Sequence, residues 1–191
     1  MAVDETLTLA RLTDYLADDY RRLRLYMGET GFSAMVRHCL AAPESPTVRV
    51  LSRHLPDFLD LTKPFSRSPE LSDLARLERA FYAAFNSPEA SLTSQATLHP
   101  SVQRLQLRTN AASIWAALAA GELPPPPARL DGPQELLVWR QGTAPRFRML
   151  GGEEAAALDA AARGEAIAID PSSENFLRGW LEAEIVSAVM S

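Results

Sequence analysis

The sequence predicts an α+β fold, mainly α, with a helical N-terminal domain followed by a small C-terminal domain built on a β-hairpin. Three observations predict it. Apolar residues recur at helical spacing from Leu9 to Leu118; a four-proline run, Pro124 to Pro127, interrupts the chain; and two short β-prone runs flank a Gly/Pro turn beyond it.

Leu9, Leu12, Leu16, Tyr20 and Leu23 alternate with Arg11, Asp14, Asp18 and Arg22, an amphipathic helix that Gly28 ends. Gly31 to Ala42 forms a second, with Phe32, Met35, Val36, Cys39 and Leu40 on one face and Pro43 and Pro46 as its stop. Thr47 caps a shorter helix through Val48, Val50 and Leu51, and Leu55-Pro56-Asp57-Phe58-Leu59 opens the next turn. Ser68-Pro69-Glu70 starts the central helix, whose stripe is Leu71, Leu74, Leu77, Phe81 and Phe85. Val102, Leu105 and Leu107 lie in a short piece, extended or irregular. A helix from Asn110 to Ala120 follows, around Ile114, Trp115 and Leu118, closed by Gly121.

The proline run reads as a semi-rigid spacer. It divides the chain into a domain over 1–123, a linker over 124–130 and a second domain over 131–191. In the latter, Leu136 to Arg140 and Arg146 to Leu150 pair across Gln141 to Pro145. A ribbon of two strands is marginal alone, so helices must pack on it. One begins after Gly151-Gly152, with Glu153 and Glu154 in its first turn and Gly164 as its stop. Ile167 and Ile169 follow, then a last helix from Ser172 carrying Phe176, Leu177, Trp180, Leu181, Ile185, Val186 and Val189.

Composition narrows the function. A net charge of −5 argues against a stand-alone nucleic-acid binder, which needs a basic stripe to neutralise phosphates. The lone Cys39 permits no intrachain disulfide. The start, Met-Ala-Val-Asp-Glu-Thr, has no basic or apolar leader, and the apolar run Ala111 to Ala120 is too short to span a bilayer. The expectation is a cytoplasmic protein without a membrane partner.

No catalytic set emerges. His38 and Cys39 are adjacent on a helix, so their side chains diverge by about 100° and share an ion poorly. Cys39 reads as a small buried hydrophobe and His99, before Pro100, as a hydrogen-bonding loop residue. Nucleophile elbows and phosphate-binding glycine loops are absent. Gly151-Gly152 reads as a tight turn, since Glu153 and Glu154 would repel an anion there. The acid pairs Asp18-Asp19 and Glu182/Glu184 fall on solvated faces. The chain is therefore expected not to be an enzyme, and to hold no metal or cofactor.

Arg140, Arg146 and Arg148 cluster at the hairpin. Arg146 and Arg148 share one face of their strand, and Phe147 and Met149 the other. Two readings stay open: arginines that blunt an exposed ribbon edge, or an edge that captures an extended or acidic peptide by strand addition. On the second, the peptide contacts are Leu136, Val138, Arg140, Arg146 and Arg148, with Trp139 left to the core.

Five segments occur in a familiar order: Leu55 to Leu59, Leu71 to Glu78, Leu98-His99-Pro100-Ser101-Val102, Ile114-Trp115 and Leu136 to Arg140. In this, nearly the whole chain from Leu9 resembles the domain of unknown function 2063 family, first labelled DNA-binding, which includes HvfC and BufC. It is also similar to the divergent MbnC and TglI subunits. Leu55 stands where phenylalanine is common, which favours the divergent, peptide-modifying members. The resemblance implies a non-catalytic partner that forms a heterodimer with an iron-containing TIM-barrel oxygenase of the domain of unknown function 692 type. Iron would sit in that enzyme, which oxidatively modifies cysteine in a ribosomally made precursor or carrier peptide. The C-terminal domain would be the peptide-recognition element. The alternative is a winged-helix DNA-binding regulator.

Overall fold

The computed structural model describes residues 2–41, 48–89, 97–163 and 171–186, with side chains for 10–41, 52–89, 97–163 and 175–186. The expected positions Pro43, Pro46, Thr47, Gly164, Ile167, Ile169 and Val189 lie outside the described residues, as do the side chains of Leu9, Val48, Val50 and Leu51.

Apolar spacing does make helices in the N-terminal half, but tertiary contacts move the breaks. Helix α1 spans Ala2–Asp19 and α2 spans Arg21–Leu40. The interruption is at Tyr20, buried and with its hydroxyl donating to the Ser52 carbonyl. The Glu78 carboxylate then accepts the N–H groups of Arg22 and Leu23 at 2.8 and 3.0 Å, satisfying free donors at the start of α2. Gly28, expected to end a helix, has non-helical backbone at φ 70° and ψ 164° and separates two helical stretches within α2, as its position predicts. Beyond the kink Phe32, Met35, Val36 and Cys39 are buried, as their spacing predicts. Burial also pushes the Cys39 thiol up to about 12, the mark of an inert packing residue.

Helix α3, Val48–Leu61, carries Pro56 inside it, where two elements were expected. A short 3-10 turn, Phe65–Arg67, leads to α4, Pro69–Phe85, which begins at the proline that announced it. Leu71, Leu74 and Leu77 are buried, and so are Glu70, Ser72, Asp73 and Glu78 on the polar side. This helix is enclosed around most of its girth, so its acids need partners. Asp73 accepts the N–H groups of Arg108 and Thr109 at 2.8 and 2.9 Å, the Thr109 hydroxyl at 2.9 Å and Arg76 at 3.1 Å. Asp60 joins Arg76, Arg108 and Ser72; burial alone would raise its carboxyl, but these bonds hold it at about 2.

Strands β1 (Gln103–Thr109), β2 (Arg129–Gln141) and β3 (Ala144–Met149) form one sheet in the order β1-β2-β3. Helix α5, Ala111–Ala120, separates β1 from β2 and ends at Gly121, φ 73°, as expected. The segment left open between extended and irregular is thus a full strand, and among the described residues the ribbon has three strands rather than two. Helices α6 (Gly152–Ala162) and α7 (Pro171–Glu182) complete a mainly helical α+β chain.

The chain divides into two compact units, 1–79 with 107–133, and 80–106 with 134–191. It passes from one to the other inside α4, β1 and β2 rather than at the prolines. Pro124 to Pro127 belong to the first unit. There Asn110 fastens the run, donating to the Pro126 carbonyl and accepting the Ala128 N–H, both at 2.9 Å. Composition reveals the stiffness of such a run but not the side chain that ties it down.

Asp73→Ala strands the buried Thr109 N–H and hydroxyl and the part-buried Arg108 N–H, and is expected to cost about 3 kcal/mol in urea unfolding, against about 0.5 for Asp57→Ala on the exposed side of α3. Burial pushes the Glu78 carboxyl up to about 7, against the pull of the Arg22 and Leu23 N–H groups. A carboxyl raised in the folded state stabilises when protonated, and that contribution is lost as pH rises from the mid-4s through about 7. The urea midpoint is therefore expected to be higher at pH 5 than at pH 8, with a smaller difference in Glu78→Gln. An equal drop in both proteins would remove Glu78 as the cause.

Candidate functional site

The hairpin owes its shape to the two-residue turn Gly142-Thr143, with Gly142 at φ 58° in the left-handed position that such turns require. The Gly142 N–H donates to Glu184 at 2.7 Å. Strand register pairs Leu136 with Met149, Leu137 with Arg148, Val138 with Phe147, Trp139 with Arg146 and Arg140 with Pro145. Directly opposed residues share a face. Leu137, Trp139, Arg146 and Arg148 therefore lie on one face, and Leu136, Val138, Arg140, Phe147 and Met149 on the other.

This divides the five expected peptide contacts between opposite faces, because an antiparallel register, not proximity in sequence, decides which residues meet. Leu136 and Val138 are fully buried in the central strand. Arg140 is committed as well, to Glu89 at 2.8 Å. Phe147 meets Phe81 of α4 edge-on at 5.7 Å between ring centroids.

On the other face, Leu137 and Trp139 enter a core with Leu158, Trp180, Ile185 and Val186. The Trp139 indole donates to the Ala183 carbonyl at 2.8 Å, so Trp139 is core, as expected. Arg148 forms an ion pair with Glu154 of α6, whose carboxylate also accepts the Trp180 indole N–H at 2.6 Å. Burial would raise the Glu154 carboxyl, but Arg148 and Trp180 bring it below its usual range. Glu154, read from sequence as a helix-dipole partner, is thus a buried link between β3, α6 and α7. A partial signal was present: an arginine placed by register on the face that Leu137 and Trp139 bury calls for a carboxylate beside that core. Arg146 differs from both neighbours, being exposed and without an ion-pair partner among the described residues.

Backbone groups define the rest. Leu150 donates to the Glu135 carbonyl at 2.8 Å, which makes that pair a hydrogen-bonded one. Alternation then makes Arg148 and Arg146 bond to β2 and turns the backbone of Met149, Phe147 and Pro145 outward. Proline has no N–H, so the β3 N–H groups that turn away from β2 are those of Phe147 and Met149. By the same alternation Leu136, Val138 and Arg140 point away from β3. There Ser101 accepts the Arg140 N–H at 3.0 Å. His99 Nδ1 accepts the Ser101 N–H at 3.1 Å, so its contact with Ser101 Oγ at 2.7 Å is a bond the hydroxyl donates. Burial and then Arg140 hold His99 below its usual value, in agreement with a neutral ring. His99 is a loop-bonding residue, as its place before Pro100 suggested.

Among the described residues, no group of three His, Cys, Asp or Glu side chains is placed to hold a metal ion, and no helix is long and apolar enough to cross a membrane. No protein-family model matches the chain, and no curated protein matches it significantly.

The two arginines of β3 should separate in stability measurements. Arg148→Ala leaves Glu154 buried with the Trp180 indole alone, an expected loss of about 2 kcal/mol after allowing for the partial exposure of the arginine. Arg146→Ala is expected to stay within about 0.5 kcal/mol. Equal losses by urea titration would contradict the division of roles.

Proposed function

We propose that this chain is a non-catalytic partner subunit that binds a precursor or carrier peptide and presents its cysteine to an iron-dependent TIM-barrel oxygenase. The observation that carries the peptide-binding part is the outer edge of β3. There the Met149 N–H turns away from β2, near Arg146, which is exposed and without an ion-pair partner among the described residues. Such an edge is a template for another strand. The identity of the enzyme partner rests on the ordered sequence segments that resemble the domain of unknown function 2063 proteins. The chain itself contributes surfaces, and iron chemistry belongs to the enzyme it serves.

Of the contacts expected from sequence, Arg146 remains in the peptide site. Arg140 and Arg148 support the hairpin through Glu89 and Glu154, and Leu136 and Val138 support it from within.

Two measurements test the proposal. Co-expression of the chain with a TIM-barrel iron oxygenase and a cysteine-bearing peptide encoded beside it should give a mass change in the peptide that neither protein produces alone. Full modification by the enzyme without this chain would end the partner reading. In Met149→Pro the missing N–H is one that does not serve β2. That variant should keep the urea midpoint and lose about 10-fold or more in affinity for the peptide by fluorescence anisotropy.

A further inference from the structure

The segment between α5 and β2 exposes a short apolar ladder that ends in a cation. It reads Leu123-Pro124-Pro125-Pro126-Pro127-Ala128-Arg129 and lies within the first unit. Its four X-Pro bonds are trans. Each proline fixes its own φ at about −65°, and each residue before a proline is kept out of the helical region. Pro124, Pro125 and Pro126 meet both conditions, which leaves polyproline II, a helix of three residues per turn. That period aligns Leu123 with Pro126 along one edge, with Arg129 one turn further on, and Pro124 with Pro127 along the next. Leu123 is 93% exposed, and Pro126, Pro127 and Arg129 are exposed as well, whereas Pro124 and Pro125 are half-buried.

Three hydrogen bonds to Asn110 hold this shape. The side chain makes the two to Pro126 and Ala128 described above, and the Asn110 N–H donates to the Ala128 carbonyl at 3.0 Å. A partner would find the ladder already ordered, which removes much of the cost of binding a flexible peptide.

The chemistry of the run restricts that partner. Proline has no N–H, so from Pro124 to Pro127 the backbone offers only carbonyl acceptors, and a strand cannot pair with it by exchanging N–H···O bonds. What fits is a flat ring that packs on pyrrolidine and carries a donor at its rim, which is tyrosine or tryptophan. Arg129 calls for a carboxylate beyond those rings. With Glu122 before the run and Arg129 after it, the ladder also has a direction.

We propose that residues 123–129 are a docking ligand for a partner domain whose groove is lined by tyrosine or tryptophan and ends in an acidic pocket for Arg129. This surface is independent of the peptide-presenting reading and does not involve β3.

An SH3 domain that selects Pro-x-x-Pro-x-Arg ligands is a suitable probe, titrated calorimetrically with the full chain and with a synthetic peptide of residues 122–130. Both are expected to form one-to-one complexes. Arg129→Glu in the full chain, whose urea midpoint should not move, is expected to weaken the complex about 10-fold or more. Pro127→Ala removes an exposed ring, keeps the backbone groups that Asn110 holds, and is expected to weaken it too. Binding of the peptide but not of the full chain would overturn the proposal, because the motif would then be closed in the folded protein. A complex that survives both substitutions would overturn it by placing the contact elsewhere. Binding of neither would leave the run a strut and nothing more.

Discussion

The buried carboxylate of Glu154 is the constraint around which the second unit is arranged. It receives the Arg148 guanidinium from β3 and the Trp180 indole from α7, while standing itself in the first turn of α6. A charge taken out of water is tolerated only when its lone pairs are filled, and here they are filled from β3, which directly precedes α6, and from α7. That requirement fixes the strand, the two helices and the rotation of β3 at once. It also consumes one of the two arginines on that face. The other, Arg146, is left outside the network.

The first unit repeats the device with other residues. Asp73 on α4 holds the Arg108 and Thr109 N–H groups, and Glu78 holds those of Arg22 and Leu23 at the start of α2. In both cases a helix in the interior uses a carboxylate to finish the hydrogen bonding of another element. These bonds act on backbone donors, so they fix the path of the chain rather than the identity of the side chains there. The acidic composition of the chain is thus partly structural, since several of its acids are interior groups.

Function, on this view, follows from what the networks leave over. Arg140 and Arg148 are spent on Glu89 and Glu154, and β2 lies between β1 and β3. Arg146 remains exposed, with no ion-pair partner among the described residues.

The sequence by itself determined the helices whose apolar stripes are regular, the start of α4 at Pro69, the end of α5 at Gly121, and the pairing of β2 with β3. Each depends on neighbours within a few residues, where spacing, capping and turn chemistry act directly. Only the tertiary structure decided the break at Tyr20, the third strand β1, the fastening of the prolines by Asn110 and the separate fates of the three arginines. Those outcomes depend on partners in other elements, such as Ser52 for Tyr20, or on which residues stand opposite one another across a sheet. Local periodicity places a side chain on a face, but the register and the buried partner settle whether it is interior, paired or free.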